Sequence, residues 1–144
     1  MPKDSKKRIK PKQIPQSTKR VKPTTPIQDE KVCFNFKDLY RNHSKFRYDD
    51  KLPPYFCKLL ERLKDLSTMT REELIGSRSK SIRFNSIDFR LPSVSEDGFG
   101  LSEDANDSAF EFSLSANEHG RVHGYFIANI FYIVWLDPEH RLCP

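Results

Sequence analysis

The amino-acid sequence predicts an α+β fold in which a helical hairpin packs on a small antiparallel sheet. Three observations support this prediction. Apolar residues alternate over a short stretch near residue 32, they recur at helical spacing between residues 53 and 76, and they form alternating or continuous stretches between residues 110 and 136. The resulting element order is β-α-α-β-β-β. A length of 144 residues suits one domain with a single modest core.

The first strand and the helical hairpin are predicted from local patterns. Residues 32–36 alternate, so that Val32, Phe34 and Phe36 share one face of a short strand. A helix is predicted to begin at Pro53-Pro54, because proline is tolerated in a first turn. Its apolar stripe is Phe56, Leu59, Leu60, Leu63 and Leu66. A second helix is predicted between the capping residue Thr70 and the terminating Gly76.

The middle of the chain gives weaker signals. Apolar and polar residues alternate from Ile82 to Phe84 and from Ile87 to Phe89. These two stretches are too short to indicate either a strand or a helix. Residues 92–107 contain five acidic residues, two glycines and no basic residue. This composition is typical of a solvated segment, and we expect an acidic surface loop there.

The last third predicts an antiparallel meander. Phe110, Phe112 and Leu114 alternate with polar residues and indicate a strand with one buried face. A turn over residues 117–120 uses Gly120, and a strand over residues 121–127 follows. A two-residue turn at Ala128-Asn129 leads into residues 130–136, which are apolar on both faces and are predicted to form the central strand.

Positive charge is concentrated at the start of the chain. The chain has 25 Lys and Arg against 20 Asp and Glu, a net charge of +5, and residues 1–30 hold nine of those bases and three of those acids. The same segment holds five of the ten prolines and no aromatic residue. It cannot bury enough apolar surface to offset the entropy of ordering. We therefore predict a disordered basic arm over residues 1–30 and a folded domain over residues 31–144.

The role of the arm has two interpretations. It is either an electrostatic tether to nucleic-acid phosphates or a solubilising leader with no dedicated partner. No run of about 18 apolar residues occurs, and no apolar segment follows the basic start, so neither a membrane span nor a secretory signal is expected. Cys33, Cys57 and Cys143 form no metal-binding pair and no disulfide framework, which favours the cytoplasm.

Three features near the carboxyl end are candidates for chemistry. Arg121, His123 and Tyr125 stand at i, i+2 and i+4 of a strand, so they project from one face and could contact a phosphate, transfer a proton and stack on a base. The alternative is an ordinary solvated strand face. His140 and Arg141 follow the apolar strand and could join this patch if the chain turns back. The alternative for His140 is ion pairing with neighbouring acids. Glu118-His119 is the third candidate, with turn formation as its alternative.

The stretch GRVHGYFIANIFYIVWLDPEHRL resembles the final hairpin of the RelE/ParE superfamily of toxins from bacterial toxin–antitoxin systems. An R-x-H-G segment, an apolar strand and a D-P-x-H ending are similar to the ParE-like branch. The element order over residues 31–144 also resembles that fold. No phosphate-binding loop, dinucleotide-binding glycine motif, zinc-protease motif or nucleophile elbow occurs in the sequence.

The resemblance implies a toxin that cleaves mRNA without a metal or another cofactor, free or on the ribosome, and that a cognate antitoxin neutralises. Arg121 would clamp the scissile phosphate, His123 or His140 would supply the acid or base, and Tyr125 would stack on or orient a base. The alternative is a non-catalytic protein of the same fold that binds gyrase, the ribosome or nucleic acid. A third hypothesis is a regulatory or defence-associated adaptor whose arm alone binds nucleic acid. No membrane partner is expected.

Charge is also polarised within the folded domain. Residues 31–95 hold 14 basic and 8 acidic residues, whereas residues 96–144 hold 2 basic and 9 acidic residues. We expect RNA to approach the helical hairpin and the arm, with the acidic loop turned away. The expected RNA-binding residues are Lys58, Arg62, Arg78, Lys80, Arg83, Tyr125 and Arg141.

Overall fold

A five-stranded mixed sheet forms the centre of this computed structural model, which describes residues 30–116 and 118–144. The predicted arm lies outside the described residues, apart from Glu30. The strands are β1 (Cys33–Asn35), β2 (Asn85–Ser86), β3 (Ala109–Ser113), β4 (Arg121–Ile127) and β5 (Ile130–Asp137). Their spatial order is β1-β5-β4-β3-β2.

The edge strand β1 runs parallel to β5, and the other three pairings are antiparallel. The prediction of a purely antiparallel sheet is therefore wrong at this edge. The helical hairpin and two further strands of the meander separate β1 from β5 along the chain. No local sequence pattern could therefore determine the direction of β1 relative to β5. Phe36, expected on the buried face of β1, lies beyond the end of the strand and is 49% exposed.

The helical hairpin has the predicted boundaries. Helix α1 spans Pro53–Leu66 and begins with proline in its first turn. Helix α2 spans Arg71–Ile75, where the Thr70 hydroxyl accepts a hydrogen bond from the Glu73 amide at 3.1 Å, and Gly76 terminates it. The predicted cap and stop are confirmed.

The buried stripe of α1 is narrower than the sequence suggests. Tyr55, Leu59, Leu63 and Leu66 are buried, whereas Leu60 is 64% exposed. Spacings of three and four residues place the buried side chains one above another, and Leu60 lies about 100° around the helix from Leu59. The assignment of Leu60 to the packed face is therefore wrong.

The first core lies between the helical hairpin and one face of the sheet. Its largest fully buried members from the sheet are Phe112, Phe131 and Ile133, which pack with Leu66 and Leu74 of the two helices. Phe84, one of the unassigned apolar residues, also belongs to this core and stacks on Phe110. The helical hairpin therefore packs on the sheet as predicted.

Irregular segments cover the opposite face of the sheet and enclose a second core. Phe46, Ile87, Phe99 and Leu142 come from these segments and pack around Trp135 of β5. The prediction of an acidic surface loop over residues 92–107 is wrong here, because Phe99 and Ala105 are buried. The same stretch contains a third short helix, α3 (Glu103–Asp107), capped by Ser102.

The three strands of the predicted meander are present, and β4 and β5 pair with one register shift between His123 and Gly124. Strand β4 has the predicted limits, and Ile127 pairs with Ile130 across the two-residue turn that contains Ala128. The prediction that residues 130–136 form the central strand is wrong, because β4 is the middle strand of the five and β5 lies between β4 and β1. No helix within residues 30–116 or 118–144 is long and apolar enough to cross a membrane.

Candidate functional site

A polar pocket of about 390 Å³ lies where β4 begins and β5 ends. Arg121 and Asp137 pair across these two strands, so the turn before β4 meets the turn after β5. The approach is close at Gly120, where a Cβ atom would lie 2.0 Å from the Asp137 carbonyl oxygen. The polar side chains that line the pocket include Arg83, Glu118, His119, Arg121, Glu139 and His140.

Three of the four basic residues in this pocket have left-handed backbone. The φ angles are 46° at Arg83, 65° at His119 and 57° at His140. Such angles are uncommon outside glycine, and residues held in them are concentrated at functional sites. His119 and His140 are only partly exposed, and both line the pocket.

Arg121 lies at the inner wall of the pocket. Its side chain is 11% exposed, and its Nη1 atom lies 3.8 Å from Glu111 Oε1. Nη1 has no hydrogen-bond partner within the described part of the chain. Nη1 is itself buried, so this unsatisfied donor faces Glu111 rather than solvent, and only the remaining exposed part of the guanidinium can meet an anion in the pocket.

His123 lies behind the pocket and does not line it. The side chain is fully buried, with Nε2 at 3.5 Å from Glu111 Oε2 and 3.6 Å from Asp137 Oδ2. Phe46 and Trp135 pack edge-on against its ring. Direct contact between His123 and a substrate, as expected from the strand pattern, is therefore excluded in this structure. The alternative of a solvated strand face is also wrong, because the second core covers it.

Glu111 and Asp137 are the acidic groups of this buried cluster. Burial by itself raises the pKa of Glu111, but the proximity of His123, with the charges of Arg121 and His140, brings that pKa below its usual value. Asp137 is fully buried and accepts hydrogen bonds from the Arg141 amide at 2.7 Å and the Leu142 amide at 2.9 Å. Its carboxylate therefore fixes the turn that contains His140.

Tyr125 has no ring face free for a nucleotide base. Its ring stacks on Tyr132 with centroids 4.9 Å apart, Phe99 packs beside it, and its hydroxyl donates a hydrogen bond to Asp38. Burial, with the hydrogen bond and charge of Asp38, raises the pKa of Tyr125. The expected stacking of Tyr125 on RNA is therefore incompatible with this packing.

The predicted RNA-binding cations occupy different environments. Arg83 lines the pocket, and Arg78 and Lys80 are exposed in the segment that leads to it. The guanidinium of Arg62 instead donates to the carbonyl oxygens of Leu114 and Ser81 and connects α1 to the end of β3. Burial lowers its pKa.

Lys58 and Arg141 lie away from the pocket. Lys58 is 3.8 Å from Glu61 on the same helix. Arg141 is paired with Glu139 at 2.8 Å and lines a separate depression with Lys45 and Arg47. The structure therefore brings together Arg83, Arg121 and His140 from the predicted set and separates the others.

Sequence reasoning missed Glu111, Asp137 and the position of His119. The register of the hairpin carried the relevant signal, because Glu111 pairs with His123 and Arg121 pairs with Asp137 across neighbouring strands. Side chains at directly paired positions share a face and lie close together. The predicted turn over residues 117–120 would place Glu111 opposite Phe126, whereas Ser113 and Arg121 pair across a longer loop, so the turn alone could not have placed Glu111 beside His123.

Comparisons of this chain with protein-family models, with curated proteins and with solved structures found no match. Within residues 30–116 and 118–144, no group of three or more His, Cys, Asp and Glu side chains is arranged to hold a metal ion. The pocket geometry is therefore the basis for the functional proposal.

Proposed function

We propose that this chain is a RelE/ParE-like toxin of a toxin–antitoxin module that cleaves mRNA without a metal and is neutralised by its antitoxin. One observation carries the proposal: two arginines and two histidines, Arg83, Arg121, His119 and His140, line a single pocket. Arginine suits phosphate recognition, and histidine can donate or accept a proton near neutral pH.

This set contains the types of side chain that RNA cleavage by internal transesterification needs. One imidazole removes the proton from a ribose 2′-hydroxyl, and the 2′-oxygen attacks the adjacent phosphorus. Arg121 and Arg83 stabilise the negative charge on the pentacovalent phosphate. The bond from phosphorus to the 5′-oxygen breaks, and the second imidazole donates a proton to that oxygen. The products are a 2′,3′-cyclic phosphate and a 5′-hydroxyl.

Glu139, one of the two acidic residues of the pocket, is partly neutralised by neighbouring cations. It lies 2.8 Å from Arg141 and 3.6 Å from Lys51. Each pairing reduces the repulsion that a phosphate would meet at the pocket entrance. The fold gives further support, since a short strand, a helical hairpin and a terminal meander are what the resemblance implies.

A non-catalytic protein of the same fold is the second candidate. It is favoured by the carboxylate of Glu111, which faces Arg121 and competes with any phosphate for its guanidinium. In this case the pocket would contribute to binding of gyrase, the ribosome or nucleic acid without cleaving a bond.

The proposal is tested by inducible expression, with and without the neighbouring genes, followed by mapping of RNA 5′ ends. We expect growth arrest and new 5′-hydroxyl ends with the wild-type chain. His119→Asn and His140→Asn should each lower cleavage by about a hundredfold or more, since each removes an acid–base group. Asparagine tolerates the left-handed backbone at both positions, so the fold should be kept.

Arg90→Ala is the matched control, because Arg90 is highly exposed, pairs only locally with Asp88 and lies outside the pocket. It should leave arrest and cleavage unchanged. Growth arrest with intact RNA, in cells and with purified ribosomes, would instead favour the non-catalytic candidate. Full cleavage by the double asparagine variant would refute the assigned chemistry.

A further inference from the structure

We infer that His123 is a positioning residue that holds Arg121 and the His140 turn in place through two buried carboxylates. Glu111, Arg121, His123 and Asp137 are called the buried tetrad below. The expected effect on RNA cleavage rests on the proposed function. The expected effect on the positions of Arg121 and the His140 turn does not, because it concerns contacts within the protein.

The first step is the position of His123 between two acids. Nε2 lies 3.5 Å from Glu111 Oε2 and 3.6 Å from Asp137 Oδ2, and neither ring nitrogen has a hydrogen-bond partner among the described residues. The three side chains come from β3, β4 and β5, with Glu111 directly opposite His123 and Asp137 two positions along β5 from its partner Trp135, so the imidazole connects the three strands. It is therefore placed to act on both carboxylates at once.

The second step is that each carboxylate controls one part of the pocket. Glu111 lies next to Arg121, with Oε1 3.8 Å from Nη1. Asp137 accepts the amides of Arg141 and Leu142, and the amide of His140 donates to the Asp137 carbonyl oxygen at 3.2 Å. A shift of either carboxylate would therefore move a pocket group that is proposed to contact RNA.

Other titratable groups also face the buried tetrad. They lie on α1, in the segment before α1, and in the chain after β5, and they are Tyr55, His43, His140 and Cys143. Burial, with the charge of Asp137, raises the pKa of Tyr55, so this phenol stays neutral beside the carboxylate.

The test compares His123→Leu with His123→Gln. Leucine fills part of the volume and donates nothing, whereas the glutamine Nε2 can occupy the position of the imidazole Nε2 and donate a hydrogen bond without titrating. Backbone amide hydrogen exchange, followed by NMR, reports on the Arg141 and Leu142 amides. An RNA oligonucleotide assay over a range of pH gives kcat and KM.

In His123→Leu we expect exchange at these two amides to be about tenfold faster, while the amides of α1 stay protected. We also expect kcat to fall by about a hundredfold with a much smaller change in KM. His123→Gln should restore the protection of both amides and part of kcat.

Unchanged exchange at Arg141 and Leu142 in the leucine variant would overturn the inference, and so would an equal acceleration throughout the sheet. If the leucine variant does not fold, His123→Met takes its place, because methionine also fills volume and donates no hydrogen bond. The same faster exchange at both amides is expected, and exchange as slow as in the wild-type protein would overturn the inference. A wild-type chain that cuts no RNA would refute the proposed function, while the exchange data would still decide the positioning role.

Discussion

At the scale of single residues, glycine sets the geometry of the pocket. Gly120 has φ of 66°, and its Cα lies so close to the start of the turn after β5 that a Cβ would meet the Asp137 carbonyl oxygen and Pro138. A side chain here would push apart the turns that contain His119 and His140. The pocket therefore depends on a residue that contributes no side chain to it.

Gly120→Ala should lower the free energy of unfolding by about 4 kcal/mol or more, or prevent folding, because strain and a backbone clash combine. The matched control is Gly100→Ala, since Gly100 has φ of 75° and no atom within 4 Å of an added Cβ. It should lose only about 1–2 kcal/mol from left-handed strain. Urea unfolding measures both changes, and equal losses in the two variants would contradict the clash.

At the scale of elements, α1 stabilises the fold through one narrow stripe. Leu66 is fully buried against the sheet, whereas Leu60 is 64% exposed on the same helix. Both residues are leucines of the same helix. Comparing their substitutions by alanine therefore separates the effect of burial on stability from the effect of helix propensity.

Leu66→Ala should lower the free energy of unfolding by about 2–5 kcal/mol, because it removes buried contacts and leaves a cavity. Leu60→Ala should change it by no more than about 0.5 kcal/mol, as expected for a surface position. Chemical denaturation followed by circular dichroism measures both. A large loss in Leu60→Ala would mean that this side of α1 packs against another surface in solution.

At the scale of the whole molecule, charge is divided between regions. Residues 31–95 carry a net charge of +6, and residues 96–144 carry −7. The pocket lies between these regions, with Arg83 from the first and the other lining residues from the second. The approach of a polyanion should therefore depend on the first region and on the arm.

Deletion of residues 1–30 removes nine basic residues and should weaken RNA binding and flatten its dependence on salt, because fewer counterions are released. RNA cleavage by the shortened chain should continue at saturating RNA, since the pocket is unchanged. Filter binding over a salt series and the cleavage assay measure these effects. Loss of all nucleic-acid affinity in the shortened chain would support the adaptor hypothesis.

Much of the fold was predictable because its signals are local. The cap at Thr70, the stop at Gly76 and the limits of β4 depend on residues within a few positions of each other, and the structure confirms them. The site was less predictable. The alternation of residues along β4 shows which side chains share a face, but it does not show which distant segments pack on that face. Arg121, His123 and Tyr125 do share a face, but the second core encloses that face.

The sequence by itself determined the helical hairpin and the strands of the terminal meander, because hydrophobic periodicity and turn chemistry act over short distances. Only the tertiary structure decided that β1 runs parallel to β5, that His123 is buried between two acids, and that His119 and His140 meet Arg83 and Arg121 at one pocket. These features depend on which distant segments pack together. That choice is made by burial and charge balance across the whole sheet, which no local pattern records.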